Sequence, residues 1–281
     1  MTEPSLTLHD GTSIPQLGFG VFQVPPEETA ATVRTAFEVG YRHIDTAQMY
    51  QNEEGVGAAI KDSGLDRDDL YVTTKLNNGV HRPADARRSL EESLTKLGLD
   101  QVDLFLIHWP LPTRYDGDFV ATWETLAELQ QEGKTRSIGV SNFQPDHLDT
   151  IVARTGVVPV VNQVEVHPFF ANEAVRAANA RHGVLTAAWS PIAKGTVNDD
   201  DVMGELASLH DRSPAQVALR WHIQRGDIVF PKSMHRERMQ QNFDLFDWSL
   251  SDVNMKAVDA LDRGEQGRLG PNPDTFDYIP D

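Results

Sequence analysis

Strand-like and helix-like segments alternate along almost the whole of this 281-residue chain. Between amphipathic stretches with helical spacing lie short apolar runs, which predict strands. These runs cover residues 17–21, 42–45, 70–75, 102–108, 135–141, 159–165, 184–189 and 227–230. Strands that alternate with helices predict a parallel sheet, and eight such units are enough to close a (β/α)8 TIM barrel. We therefore predict an α/β protein in which residues 1–281 form one barrel domain.

Glycines mark the ends of two predicted helices. Gly40 follows the amphipathic stretch 28–39, and Gly98 follows the stretch 83–97. Glycine adopts the left-handed backbone conformation that ends many helices without steric cost. The two positions therefore indicate where each helix gives way to the next strand.

Both ends of the chain depart from the repeating pattern. The runs Leu6–Leu8 and Ser13–Pro15 flank Asp10–Gly11, a dipeptide typical of tight hairpin turns. We expect this hairpin to lie at the bottom of the barrel. The tail Gly264–Asp281 is rich in Gly, Pro and Asp, and we expect it to form a loop over the active-site face.

Composition limits the kind of partner that the chain can have. Forty-two acidic residues against 25 basic ones give a formal charge of -17, which repels nucleic acid and anionic membranes outside a local basic patch. No cysteine is present, so disulfides, thiolate metal sites and a cysteine nucleophile are excluded. The segment Met1–Asp10 lacks the basic and apolar parts of a secretory signal, and no apolar run approaches the roughly 18 residues of a membrane span. We expect a monomeric cytoplasmic protein with no nucleic-acid or membrane partner.

Three polar residues stand where predicted strands end. Asp45 closes the run 42–45, Lys75 closes the run 70–75, and His108 follows Val102–Ile107. Tyr50 lies five residues beyond Asp45. Because the carboxyl ends of the strands form the active-site face of such a barrel, polar residues that recur there indicate catalysis.

The four side chains form a coherent chemical set. A tyrosine has a pKa of about 10, and a nearby ammonium group such as that of Lys75 lowers it and makes Tyr50 a better proton donor. Asp45 supplies the counter-ion that a buried lysine needs, and His108 can hydrogen-bond a substrate carbonyl oxygen. Taken singly, Asp45 fits a helix cap, Lys75 a solvated side chain and His108 a core histidine. Their joint occurrence at successive strand ends favours catalysis.

Seven stretches resemble the aldo-keto reductase family in order and spacing. They are Leu17–Gly20, Gly40–Ala47, Tyr50, Val72–Lys75, Leu106–Pro110, Ile138–Phe143 and Pro231–Ser233. The chain length, Trp189 and the tail segment Asn272–Phe276 are most similar to bacterial members of the 2,5-diketo-gluconate reductase type. The resemblance implies an NADP-dependent reduction of an aldehyde, ketone, diketone or keto-sugar to an alcohol, with Tyr50 as the proton donor.

The family binds NADPH without a Rossmann fold, and no Gly-x-Gly-x-x-Gly opens a helix after a strand in this sequence. In the family the nicotinamide amide is held by residues that match Ser141, Asn142 and Gln163. An aromatic residue that matches Trp189 stacks on the nicotinamide ring. The resemblance also places Ser190 and the loop to Gly195 beside the pyrophosphate.

The adenosine end of the cofactor is predicted from local charge. A cluster rich in positive charge stands out in this acidic chain: Lys232, Ser233, His235, Arg236 and Arg238. A 2′-phosphate carries nearly two negative charges, and arginine matches its oxygens with a planar fork. The resemblance assigns this contact to Lys232, Ser233 and Arg238, and so implies a preference for NADPH over NADH. It assigns the adenine contact to Gln241, where the family often has glutamate, and to Asn242.

The substrate pocket is predicted from the resemblance and from position on the active-site face. We expect Phe22, Tyr50, His108 and Trp109 to line it, together with the loops near 110–118 and 264–281. Arg114 and Lys232 are the cations to consider for an anionic substrate. The sequence leaves the choice among carbonyl compounds open.

Three other functions are compatible with a barrel of this kind. A metal-dependent hydrolase uses His-x-His at an early strand, but no His-x-His occurs in the chain, and we expect no metal. A glycosidase would pair Glu165 with Asp45, which leaves Lys75 without a role. A non-catalytic NADP-binding regulatory subunit on the same scaffold stays the main alternative, because a fold does not determine a function.

Overall fold

The computed structural model describes residues 4–280, and its centre is an eight-stranded parallel sheet. Two strands form a separate N-terminal hairpin, β1 (Ser5–Thr7) and β2 (Ser13–Pro15). The eight strands of the parallel sheet are β3 (Phe19–Gly20), β4 (His43–Asp45), β5 (Tyr71–Leu76), β6 (Val102–Ile107), β7 (Thr135–Ser141), β8 (Val161–Glu165), β9 (Leu185–Trp189) and β10 (Ile228–Val229). Strands β3 to β10 neighbour one another in chain order. The amide of Gly18 donates to the carbonyl of Val229 at 2.8 Å, and the amide of Val229 donates to the carbonyl of Gln16 at 3.0 Å. These bonds join the two edges, so the predicted (β/α)8 barrel is confirmed.

Helices follow most of the barrel strands and cover the outside of the sheet. They are α1 (Pro26–Val39), α2 (Glu53–Asp62), α3 (Pro83–Leu97), α4 (Phe119–Gln131), α5 (Pro145–Thr155), α6 (Glu173–His182), α7 (Asp201–His210), α8 (Pro214–Gln224), α9 (Arg236–Phe243) and α10 (Asp252–Asp259). Helices α1 and α3 begin with proline, which needs no amide partner in the first turn. They end at Gly40, with φ of 127°, and at Gly98, with φ of 66°. Both predicted helix ends are confirmed.

The N-terminal hairpin closes one end of the barrel interior. Strand β1 pairs antiparallel with β2, and the side chains of Leu8 and Ile14 are buried. They join a cluster inside the barrel that is separate from the core between sheet and helices: Tyr71, Leu104, Leu106, Val160, Val161, Ala187, Ile228 and Phe230. The hairpin therefore fills the end opposite the active-site face, as predicted.

The structure corrects several predicted boundaries, most of them by one or two residues; β5, for example, extends to Leu76, and β8 begins at Val161. The runs 17–21 and 227–230 shorten to β3 and β10, of two residues each, because Pro231 has no amide to continue the ladder and the seam is closed by a single Leu17–Val229 bridge. The tail, predicted as loop throughout, begins with a 3-10 turn at Gly264–Gly267. A Cβ atom at Gly267 would lie 1.7 Å from the carbonyl oxygen of Phe169, so this turn packs directly on backbone.

Among residues 4–280, no helix combines the length and the apolar character that crossing a membrane requires.

Candidate active site

The carboxyl ends of the barrel strands open into a cleft of about 1130 Å³. Most of the candidate site residues line it, namely Phe22, Asp45, Tyr50, His108, Trp109, Ser141, Asn142, Gln163, Trp189, Ser190, Lys232, Ser233, Arg238, Gln241 and Asn242. Lys75 lies behind this surface and is fully buried. Pockets for small molecules commonly measure about 300–1000 Å³, so the cleft has room for an extended ligand.

A buried ion pair lies at the base of the cleft. The Nζ atom of Lys75 donates to Oδ2 of Asp45 and to the carbonyl oxygen of Thr46, both at 2.8 Å. The second carboxylate oxygen of Asp45 accepts from Nε2 of Gln163 at 2.7 Å. Burial lowers the pKa of Lys75, but the charge of Asp45 and the phenol of Tyr50 outweigh it and raise the pKa above its ordinary value. The lysine is therefore a fixed cation with satisfied hydrogen bonds.

Tyr50 faces the cleft from the end of a 3-10 turn, Gln48–Tyr50. The Nζ atom of Lys75 lies 3.4 Å from its hydroxyl oxygen and 5.0 Å from its ring centroid. Burial raises the pKa of Tyr50, Lys75 lowers it and Asp45 raises it, with a net increase. The expected net lowering was therefore wrong, because burial outweighs the attraction of the ammonium group. The phenol keeps its proton at neutral pH.

His108 lies beside Tyr50 at the end of β6. Their rings meet edge to face with centroids 5.6 Å apart. The side-chain Nδ1 of His108 has no hydrogen-bond partner among residues 4–280, and the residue is only 8% exposed. Burial, followed by the charges of Lys75 and His81, holds its pKa well below the ordinary value. A neutral imidazole offers one donor and one acceptor nitrogen to a group in the cleft.

The ends of β7, β8 and β9 carry a connected set of amide and indole groups. Asn142 has φ of 64°, and its Nδ2 donates to the carbonyl oxygen of His108 at 2.9 Å. Its Oδ1 accepts from Nε1 of Trp189 at 2.8 Å. The hydroxyl of Ser141 donates to the carbonyl of Gln163 at 2.7 Å. These bonds hold the indole against the cleft, where it offers a flat apolar surface.

The basic end of the cleft is built on the loop before α9 and on α9 itself. Lys232 and Arg238 are exposed and form no ion pair within the described part of the chain. Ser233 is buried nearby and also lines the cleft. Arg236, predicted as part of the same basic cluster, instead forms an ion pair with Glu38 on α1 and does not line the cleft. Among the described residues, Lys232 and Arg238 are therefore the members of this basic cluster that line the cleft as unpaired lysine and arginine.

Gln241 and Asn242 follow along the same helix and line the same end of the cleft. Gln241 is exposed, whereas Asn242 is buried. Ser190, with φ of 51°, turns the chain after β9 into the loop that connects the indole to this basic end. The structure thus brings the residues predicted to contact nicotinamide, pyrophosphate and adenosine together in the lining of one cleft.

Aromatic side chains also line the cleft. The ring of Phe22 lies 5.0 Å from that of Tyr50, and the ring of Trp109 lies 4.1 Å from that of Phe276. Arg114, considered for an anionic substrate, is bound to the side chain and the backbone carbonyl of Asp277 and does not line the cleft.

Sequence reasoning named the tail only as a range, and it missed individual tail residues that line the cleft: Leu269, Gly270, Pro271, Phe276 and Tyr278. The similarity of Asn272–Phe276 to the family was the one signal that pointed to this segment. It gave no partner for Phe276, which packs on Trp109.

The carboxylates nominated for a glycosidase are both engaged in the fold. Asp45 is bound by Lys75 and Gln163. The two oxygens of Glu165 accept from the backbone amides of Leu269 and Gly270 at 2.6 and 3.0 Å. Neither carboxylate is free to act as acid or nucleophile, so the structure gives the glycosidase no support. Within residues 4–280 no cluster of three or more metal-ligating side chains occurs.

The model of the Aldo/keto reductase family matches residues 16–263 of the chain. The chain belongs to the aldo-keto reductase family. An aldo-keto reductase of Mycolicibacterium smegmatis is 46% identical over 98% of both chains. A protein named methylglyoxal reductase DkgA of Escherichia coli K12 is 44% identical over 98% of this chain and 99% of its own. The predicted likeness to bacterial reductases of the diketo-gluconate type is confirmed by these relatives.

Solved structures of this aldo-keto reductase fold superpose closely. The apo structure of Gox0644 has a TM-score of 0.94 at 43% identity and covers 99% of this chain and 100% of its own. An aldo-keto reductase of Bombyx mori, solved in complex with NADP, has a TM-score of 0.88 at 37% identity over 93% of this chain and 94% of its own. A mutant of Gox0644 was solved in complex with NADPH. The chain is thus an oxidoreductase of the aldo-keto type.

Proposed function

We propose that this enzyme reduces the carbonyl group of a small molecule to an alcohol, with NADPH as the reductant and Tyr50 as the proton donor. The observation that carries the proposal is the position of Tyr50, whose hydroxyl faces the cleft 3.4 Å from the buried ammonium group of Lys75. Family membership and the structures solved with NADPH and NADP support the choice of cofactor.

The residues of the cleft fit NADPH. Arg238 and Lys232 leave two positive charges unpaired in a chain of net charge -17, and a 2′-phosphate neutralises such a pair. Ser233 adds a hydroxyl at the same end. The indole of Trp189, fixed by Asn142, presents a flat surface that suits an aromatic heterocycle.

When bound, NADPH supplies the hydride that reduces the carbonyl carbon. Negative charge then develops on the carbonyl oxygen, and Tyr50 transfers its phenolic proton to that oxygen. Lys75 stabilises the phenolate that remains, since its ammonium lies against the hydroxyl. Asp45 keeps Lys75 charged and oriented.

His108 orients the substrate in this proposal. Its imidazole is neutral and lies against Tyr50, so the ring can bond the carbonyl oxygen without carrying charge. Phe22 and Trp109 supply apolar surface around that oxygen.

Small dicarbonyl compounds are the substrates that we propose to test first, because relatives at 44–46% identity in Escherichia coli and Yersinia pestis are named methylglyoxal reductases. The purified chain is mixed with NADPH and methylglyoxal, and the loss of NADPH absorbance is followed together with the alcohol product. We expect equal amounts of NADPH consumed and alcohol formed. Tight NADPH binding without turnover on a panel of aldehydes, ketones and keto-sugars would instead favour the regulatory subunit. Monomeric state and cytoplasmic location stay predictions.

A further inference from the structure

Glu165, at the end of β8, is a buried charge that the proposed chemistry does not use. It is 1% exposed, and its two carboxylate oxygens each accept one backbone amide, from Leu269 at 2.6 Å and from Gly270 at 3.0 Å. Its Oε1 also lies 3.1 Å from Nε2 of His167. Hydrogen bonds from backbone amides to a carboxylate are charge-assisted, and they are stronger than hydrogen bonds between neutral groups. The chain therefore fastens its C-terminal segment to a barrel strand at one defined point.

That point lies against the indole of Trp189. Glu165 and Trp189 are register partners on the adjacent strands β8 and β9. A Cβ atom at Gly270 would lie 2.5 Å from Cη2 of Trp189 and 3.0 Å from Oε2 of Glu165. Only glycine allows the backbone to approach both groups this closely. The six-membered ring of the indole therefore rests on the segment that Glu165 holds.

The indole is also held at its pyrrole nitrogen, because Nε1 donates to Oδ1 of Asn142. A ring that is hydrogen-bonded at Nε1 and packed against backbone at Cζ2 and Cη2 has little freedom to move. We call residues 268–278 the C-terminal strap. Its far end is also bound, since the carbonyl of Tyr278 accepts from Asn78 and Asp277 binds Arg114.

We propose that Glu165 is a positioning residue for the cofactor: by holding the strap at Leu269 and Gly270, it fixes the indole of Trp189 in the plane that receives the nicotinamide ring. This inference rests on the proposed function, since it takes the cofactor to be NADPH. It makes the strap a part of the cofactor site as well as of the substrate pocket. A ring held in place before binding loses less entropy when the ligand arrives.

The test compares Glu165→Gln with the unmodified chain. Glutamine preserves the size of the side chain but has one acceptor oxygen, so one strap amide must face an NH2 group. Calorimetry should show NADPH affinity about tenfold weaker, within the range for losing an aromatic stacking contact. The affinity for 2′-phospho-ADP-ribose, which has no nicotinamide, should not change. Hydrogen exchange of the amides of Leu269 and Gly270 should become faster.

Two further variants make the result specific. Gly270→Ala crowds both the indole and Oε2 of Glu165 but keeps the carboxylate. It should show the same selective loss of NADPH affinity, which also covers the case in which Glu165→Gln does not fold. Glu173→Gln is the matched control, because its partner is Arg225, outside the strap, and it does not line the cleft. That control should bind both ligands like the unmodified chain.

Two results would overturn the inference. One is faster exchange in the strap with unchanged NADPH affinity, which would separate the strap from the indole. The other is an equal loss of affinity for both ligands, which would mean general damage to the cleft. If the unmodified chain bound neither ligand, the proposed function would fail, and the inference that depends on it would fail as well.

Discussion

The two ends of the cleft differ in whether their cations are buried and paired within the protein. At the reaction end, Lys75 is fully buried and is bonded to Asp45, Thr46 and Tyr50. At the basic end, proposed to bind adenosine, Arg238 is exposed and has no ion-pair partner within residues 4–280. The first charge is already compensated by the protein, whereas the second is left for a ligand.

The difference has a physical cause. A group that acts on a proton needs a fixed position and a fixed protonation state, and a buried hydrogen-bond network provides both. A group that recognises a phosphate needs access, and an exposed cation attracts the anion through solvent. Variants at the buried end should therefore change kcat, and variants at the exposed end should change cofactor affinity.

The largest effect is expected from Tyr50→Phe. Loss of a positioned acid lowers kcat by roughly 10²–10⁴, while NADPH affinity should stay the same because the phenol does not belong to the basic end. Steady-state kinetics and calorimetry on the same sample measure the two effects. The matched control is Tyr71→Phe, whose hydroxyl is buried at the opposite end of the barrel without a hydrogen-bond partner among the described residues. If Tyr50→Phe reduced the substrate at a rate near that of the unmodified enzyme, Tyr50 would not be the proton donor.

A smaller effect is expected from His108→Gln. Glutamine keeps a hydrogen-bond donor near the carbonyl oxygen, so kcat should fall by no more than about 10²-fold, the lower limit for loss of an acid–base group. The comparison with Tyr50→Phe must use one substrate at saturating NADPH. If His108→Gln proves the more damaging change, the proton-donor role passes to His108.

At the exposed end, Arg238→Gln should weaken NADPH binding about ten- to a hundredfold and leave NADH nearly unchanged. The reason is the loss of a charge-assisted contact worth about 1.5–3 kcal/mol. Arg236→Gln removes the same charge from the same helix, but Arg236 is paired with Glu38 outside the cleft, so this control should bind NADPH normally.

The same experiment has two further readouts. Added salt should reduce the preference for NADPH over NADH, because exposed charges are screened. Equal losses for both cofactors in Arg238→Gln would show that Arg238 supports the loop, and recognition of the phosphate would then rest on Lys232 and Ser233.

The smallest effect is expected from pH. Tyr50 acts in its protonated form and its pKa is raised, so the donor keeps its proton through the neutral range and loses it only under alkaline conditions. The pKa of His108 is lowered, so its neutral form persists over the same range. A profile of kcat against pH should therefore have no inflection near 6.5, the ordinary value for histidine. An inflection there that disappears in His108→Gln would contradict a neutral imidazole.

Much of the reaction end was predictable because it follows from sheet topology. In a parallel barrel the residues that follow each strand meet at one face, so Asp45, Lys75 and His108 had to converge once the strands were recognised. The contact of Asp45 with Lys75 also followed, since a buried ammonium group requires a counter-ion. The direction in which the pKa of Tyr50 shifts could not be predicted from the sequence, because it depends on the balance between burial and the charge of Lys75.

The sequence alone thus determined the order of the strands, the face on which the polar residues meet, and the residues that mark the family. These features are local patterns, or consequences of topology that hold for any barrel of this kind. Only the tertiary structure decided which long-range partners each side chain meets. Arg236 pairs with Glu38 because α9 packs on α1, and Glu165 binds the amides of Leu269 and Gly270 because the tail returns to β8. Such contacts join residues more than a hundred positions apart, and no short-range pattern encodes them.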